Sequence, residues 1–209
     1  DVDAIQTLFN DINNNYNQDS DDNGNRIEFN NETLRTAINL WFDNREQAIE
    51  EYGDINTWNV SKVTNMSELF VYRTRFNENI SNWNVSNVTT MKSMFADARA
   101  FNQPLEQWNV SNVTNMGAMF FDARDFNQPI ANWEREDSTI ENVTNMKGMF
   151  SDARAFNQPL EQWNVGNVTY MGYMFFGASA FNQPLDQWDV GNVTNMGYMF
   201  YNAPAFNQP

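Results

Sequence analysis

The chain has 209 residues, 41% hydrophobic and 15% aromatic, ample for one continuous core, with 27 acidic against 12 basic residues and a formal charge of −15. Such an acidic chain is repelled by phosphate backbones and anionic membrane surfaces, which argues against nucleic-acid partners, whereas divalent cations are attracted. It has no cysteine and no histidine, which excludes disulfides, ordinary zinc sites, thiol nucleophiles and histidine acid–base chemistry.

The chain opens on Asp1 rather than Met and without a signal-peptide pattern, which points to a processed protein or an excised fragment. No apolar run approaches the ~20 residues of a membrane span, so membrane insertion is not expected. Ile5, Leu8, Phe9 and Ile12 are spaced for a short amphipathic helix, and the Asn/Asp-rich stretch 13–25 reads as a loop. That loop contains Asp19, Asp21, Asn23, Gly24 and Asn25, the opening of a calcium loop, D-x-D-x-N-G. The twelfth position, where a bidentate Glu belongs, is Asn30, so Glu28 or Glu32 would have to substitute. Calcium is the one cofactor to consider; an acidic turn is the alternative.

A second helical pattern places Leu34, Ile38, Trp41 and Phe42 on one face, with Asn30 or Asn31 to cap it. A third helix carries Ala48, Ile49 and Tyr52 and stops at Gly53. Residues 1–56 therefore read as an N-terminal helical cap with an acidic loop. Residues 57–209 read as a six-unit array that needs such a cap over its first coil.

The array repeats W-x-V-x-x-V-T-x-M-x-x-M-F, a polar stretch, then F-N-Q-P-[LI]. Tryptophans at Trp58, Trp83, Trp108, Trp133, Trp163 and Trp188 set a period of 25 residues with one unit of 30. Fixed spacing in this range predicts a solenoid in which each unit buries its apolar side against its neighbours. L-x-x-W-x-V predicts a short parallel strand with Trp and Val inward. Met116, Met119 and Phe120, at i, i+3, i+4, predict a helical turn. The fold expected is an α/β solenoid, a right-handed coil stack like that of leucine-rich repeats.

Recurring residues predict columns along the stack. Asn77, Asn102, Asn127, Asn157, Asn182 and Asn207 read as an internal amide ladder, and Thr64 to Thr194 as hydroxyls closing local turns. Asp97/Arg99, Asp122/Arg124 and Asp152/Arg154 read as a solvated salt-bridge ladder. Outward positions of the expected strand are Asn84, Asn109, Glu134, Asn164 and Asp189, flanked by Gln107, Gln162 and Gln187. These would form a polar, acidic face for a basic protein or a glycan. The five extra residues between Trp133 and Val143 would project Arg135, Glu136 and Asp137 as a charged loop beside it, or form a functionally neutral loop.

V-T-N-M-x-x-M-F with F-N-Q-P-L-x-x-W-x-V resembles the repeat of the BspA-like leucine-rich-repeat bacterial surface proteins, and Ala37 to Met66 resembles that family's opening segment. The likeness covers roughly residues 30–209. It implies an extracellular or cell-surface location and a non-enzymatic recognition or adhesion role toward a surface protein or glycan. The alternative is a building block of a fibre or surface layer, self-associating end to end through an open C-terminal coil. An enzyme is the third class, although no carboxylate pair departs from the repeat as a grafted active site would.

Overall fold

The computed structural model describes residues 27–208. The expected helix at 5–12, the loop 13–25 and the calcium candidates Asp19, Asp21, Asn23 and Asn25 lie outside the described residues. Helix α1 spans Asn31–Asp43 and α2 spans Arg45–Tyr52. Asn30 caps α1 by accepting the Glu32 and Thr33 amides, while Thr33 answers with its hydroxyl to the Asn30 amide. Gly53 ends α2 at φ 73°, a backbone that a residue with Cβ rarely adopts.

From residue 58 onward successive repeats stack. The backbone contact between them is not where the sequence places a strand. Apart from Asn59, which bridges Glu28 in the cap, W-x-V carries no sheet pairing among the described residues. Parallel bridges instead join Asn65, Thr90, Asn115, Asn145, Tyr170 and Asn195 in series, within V-T-x-M.

The expected helical turn is also replaced. In the third repeat the N–H groups of Met116, Ala118, Phe120 and Asp122 donate to the carbonyls of Asn145, Lys147, Met149 and Ser151 in the fourth, at 2.8–2.9 Å. Between them, Met119, Phe121 and Ala123 donate back to Met116, Ala118 and Phe120, and Gly117 donates to the Asn115 side chain. Eight consecutive amides are thus all placed, alternately to the next repeat and to their own. This geometry needs left-handed residues at the third position of two turns per repeat. They are Ala118 (φ 55°) and Asp122 (φ 49°) here, and Tyr173 (φ 61°) and Tyr198 (φ 58°) at the first of these positions further on. Met, Met and Phe still point inward, because tandem turns and a helical turn present i, i+3 and i+4 to the same side.

The columns hold the repeats from the side-chain direction. Phe70, Phe95, Phe120, Phe150, Phe175 and Phe200 stack at 5.5–5.7 Å, and each pairs at 4.0–4.1 Å with the F-N phenylalanine of its own repeat. Indole N–H groups of Trp83, Trp108, Trp133, Trp163 and Trp188 donate to the preceding repeat's Ile or Leu carbonyl. Each Thr of the Thr column from Thr89 onward donates both its amide and its hydroxyl to the Thr carbonyl one repeat back, so these hydroxyls join repeats rather than closing local turns. Asn102 and its equivalents accept the next repeat's Asn amide and Gln side chain.

The cap imitates a missing preceding repeat. Asn31 Oδ1 accepts the Thr64 and Asn65 amides, Asn31 Nδ2 meets the Thr64 hydroxyl, and Arg35 donates to the Ser67 carbonyl at 2.7 Å. Phe29 and Trp41 close over Trp58, and Phe42 over Phe70 and Phe76, so one core runs from the cap through the repeats.

Candidate binding face

The polar positions expected to line a binding face are largely engaged in holding their own backbone. Asn84, Asn109, Asn164 and Asp189 each turn a side-chain oxygen onto the amide two residues on, forming Asx turns. Asn109 also donates to the Asp137 carbonyl at 2.6 Å. Gln107, Gln162 and Gln187 are exposed, the last two bonded to the neighbouring Glu161 and Asp186. Asn, Asp and Gln at these positions therefore mark turn chemistry before they mark a ligand surface.

The five-residue expansion exposes Glu136 and Asp137 but engages its arginine. Arg135 donates to the carbonyls of Glu106, Trp108, Asn132 and Gln107 and to the Asp137 carboxylate, so it clamps the loop onto the preceding repeat. Glu134 accepts from the Thr139 hydroxyl and from the Ile140 and Asn164 amides, and Ser138 is buried against Val110. Of the charged residues in this loop, Glu136 and Asp137 stay open while Arg135 and Glu134 are engaged. Extra length here makes additional repeat-to-repeat bonds.

The tandem-turn face carries the exposed aromatics instead. Phe121, Tyr170, Tyr173, Tyr198 and Tyr201 are all more than a third exposed, Tyr198 and Tyr201 at 61%. Tyr173 stacks on Tyr198 at 5.2 Å and Phe176 on Tyr201 at 5.4 Å. Beside them lies a groove of about 340 Å³ floored by Gly117, Ala118, Gly148 and Ser151 and walled by Phe121 and Tyr173. Lys92, Lys147 and Asn145 complete its rim. The chain has three lysines, and two of them are here, with no carboxylate lining the groove. Sequence reasoning passed over these tyrosines because aromatics at repeat positions read as core. The available signal was that Tyr173 and Tyr198 fall in a column filled elsewhere by Glu68, Ser93, Ala118 and Gly148.

Next to this face the acid–base ladder is partly formed. Arg99 reaches both Asp97 and Asp122, and Arg124 takes Asp122 with two bonds at 2.7 and 3.1 Å. Asp152 and Arg154 make no ion pair among the described residues, so the third pair does not continue it. Burial pushes the Asp122 carboxyl up, but the hydrogen bonds and charges of Arg124 and Arg99 outweigh it and hold the group below the ordinary aspartate range. For Asp97 burial acts with the neighbouring Asp122, and together they exceed Arg99, so its carboxyl titrates above that range.

The signs then oppose. Asp122 stabilises the fold above the ordinary aspartate pKa and loses that contribution as pH falls through its lowered folded value. The Asp97 contribution is complete below the ordinary value and is lost as pH rises through its raised one. In thermal melts at neutral pH, Asp122→Asn is expected to cost about 1–3 kcal/mol, whereas Asp97→Asn is expected to leave stability unchanged or raised.

Among the described residues no group of three or more acidic side chains is placed to hold a metal ion, and no helix is long and apolar enough to cross a membrane. On the last repeat Trp188, Val190, Met196, Met199 and Phe206 line a depression of about 380 Å³ at the expected self-association end. A family model described as a Mycoplasma protein of unknown function, DUF285, matches residues 36–140 and 136–209. The chain belongs to this family. The first DUF285 match begins inside α1, so part of the cap is included with the repeats. No curated protein and no solved structure matches the chain.

Proposed function

We propose that this DUF285 chain is a non-enzymatic recognition module of the BspA-like surface-protein kind. It is an α/β solenoid of leucine-rich-repeat type, displayed outside the cell and holding a surface protein or glycan. The observation that carries this reading is the cluster of exposed Tyr173, Tyr198 and Tyr201 beside the Phe121 groove. Aromatic side chains left in water on a rigid scaffold are a characteristic of binding surfaces, and each brings a large contact area at low entropic cost. The binding face of this proposal is the tandem-turn face, not the Asn-lined one, because the Asn oxygens are already bonded to amides.

A screen of surface glycans and proteins tests the reading. Wild-type protein is expected to capture a partner that Tyr198→Ser/Tyr201→Ser loses by tenfold or more, with unchanged far-ultraviolet circular dichroism. Capture that survives this change but is lost in Asn84→Ala/Asn164→Ala would return the site to the Asn face. The building-block alternative calls for concentration-dependent assembly in light scattering, with no partner captured.

A further inference from the structure

Two columns of side chains run along the tandem-turn face; the fourth repeat interrupts the rings of one, and the other carries no ring before the fifth repeat. One column reads Ala118, Gly148, Tyr173, Tyr198; the other reads Phe121, Ser151, Phe176, Tyr201. Where rings occupy successive repeats they stack, at 5.2 Å for Tyr173–Tyr198 and 5.4 Å for Phe176–Tyr201. Gly148 and Ser151 supply no ring, so Phe121 and the Tyr173/Phe176 pair stand two repeats apart with the groove between them. Two repeat spacings are about 10 Å. Subtracting one ring thickness of roughly 3.5 Å leaves space for one flat ring, not two. A Cβ added at Gly148 meets nothing nearer than the Ser151 Cβ at 3.9 Å, so the floor of the gap is open.

The chemistry at the rim narrows the occupant. The Lys92 and Lys147 side chains are exposed, neither pairs with a carboxylate among the described residues, and they are the only charges on the groove. On a chain of net charge −15 this is a local reversal of sign, suited to an anionic ligand. Asn145 adds a half-buried polar side chain at the rim, while Ser151 is buried beneath it. The groove is open to solvent above a largely apolar lining, which suits a pyranose whose C–H face lies on that lining while its edge hydroxyls stay in water.

Resting on the recognition reading above, we propose that the gap in the aromatic column at repeat four is a subsite for one pyranose ring of an acidic, uronate-type glycan. The sugar's C–H face lies against Tyr173 or Phe121, and its carboxylate meets Lys147 or Lys92.

Calorimetric titration of the whole chain with tetragalacturonate, and with the same oligosaccharide methyl-esterified, tests this. The acid is expected to bind and the ester to bind at least tenfold more weakly. Lys92→Gln/Lys147→Gln should reduce the acid to the level of the ester. Gly148→Tyr is expected to fill the gap with a stacked ring and abolish binding. Tyr173 and Tyr198 already hold φ of 61° and 58° at the equivalent position, against 62° at Gly148. If that variant does not fold, Ser151→Phe closes the gap from the second column. Unchanged binding in a folded gap-filling variant, equal affinity for acid and ester, or tighter binding of an acidic phenylalanine-bearing peptide would each overturn the proposal. If tetragalacturonate does not bind while partner capture still depends on Tyr198 and Tyr201, the ligand class falls and the recognition reading stands. If both fail, both fall.

Discussion

Trp133→Ala is expected to be among the most damaging single changes in this protein, lowering stability by about 4–6 kcal/mol. Trp133 has no exposed surface, stacks on Trp163 at 5.9 Å, and donates its indole N–H to the Leu105 carbonyl at 2.9 Å. Removing a buried Trp costs about 3–5 kcal/mol through lost contacts and the cavity left behind. The orphaned Leu105 carbonyl adds roughly another 1 kcal/mol. The cavity cannot collapse readily, because repeats on both sides are held at fixed separation by backbone hydrogen bonds. Asn84→Ala, on the solvent side of the same motif, loses only an Asx turn and is expected to cost less than about 1 kcal/mol. Chemical denaturation of the two variants beside wild type measures the difference. Equal losses would mean that the Trp column is not the element joining repeats.

Arg135→Ala is the second large effect, expected at about 3–4 kcal/mol despite a partly exposed side chain. The guanidinium donates to four carbonyls, two of them from the residues just before Trp108 and one from Trp108 itself, as well as to Asp137. Bonds from a charged donor contribute about 1.5–3 kcal/mol each in isolation, but here they share one group and do not sum. Arg135→Lys separates charge from shape. An ammonium keeps the charge yet cannot span carbonyls with a planar fork, so it is expected to recover less than half of the loss. Full recovery by Lys would show that charge alone holds the loop. An unchanged melt in the Ala variant would return Arg135 to the free charged loop that its sequence context suggests.

The two substitutions show which parts of the molecule are readable from residues. The Trp, Met and Phe columns are legible because burial leaves a strict period, and Asn30 and Gly53 mark helix ends by the same chemistry wherever they occur. The Asn77-to-Asn207 amide ladder follows from a side chain that both donates and accepts at every repeat. Two features were hidden by degeneracy. M-x-x-M-F fits a helical turn and a pair of tandem turns equally well, since both bring i, i+3 and i+4 to one side. What distinguishes them is the column Asp97, Asp122, Asp152, Gly177 and Asn202, which after Tyr72 in the first repeat draws on residues that tolerate left-handed backbone. The second hidden feature is Arg135, whose four carbonyl partners lie 3 and 27–29 residues away and leave no local mark. The proposed binding face went unseen for a related reason. Its tyrosines are departures from the repeat, and a reading tuned to what recurs discards what does not.

All of this depends on the tandem turns of successive repeats being bonded into one continuous ladder, and amide hydrogen exchange measures that bond by bond. Amides of Met91, Ser93, Phe95, Met116, Ala118 and Phe120 are expected to exchange together, near the limit set by global unfolding, while the exposed Asn87 and Asn112 exchange orders of magnitude faster. Ladder amides that exchange as fast as Asn87 and Asn112, or that open repeat by repeat at unrelated rates, would contradict the stacked arrangement and the binding face proposed on it.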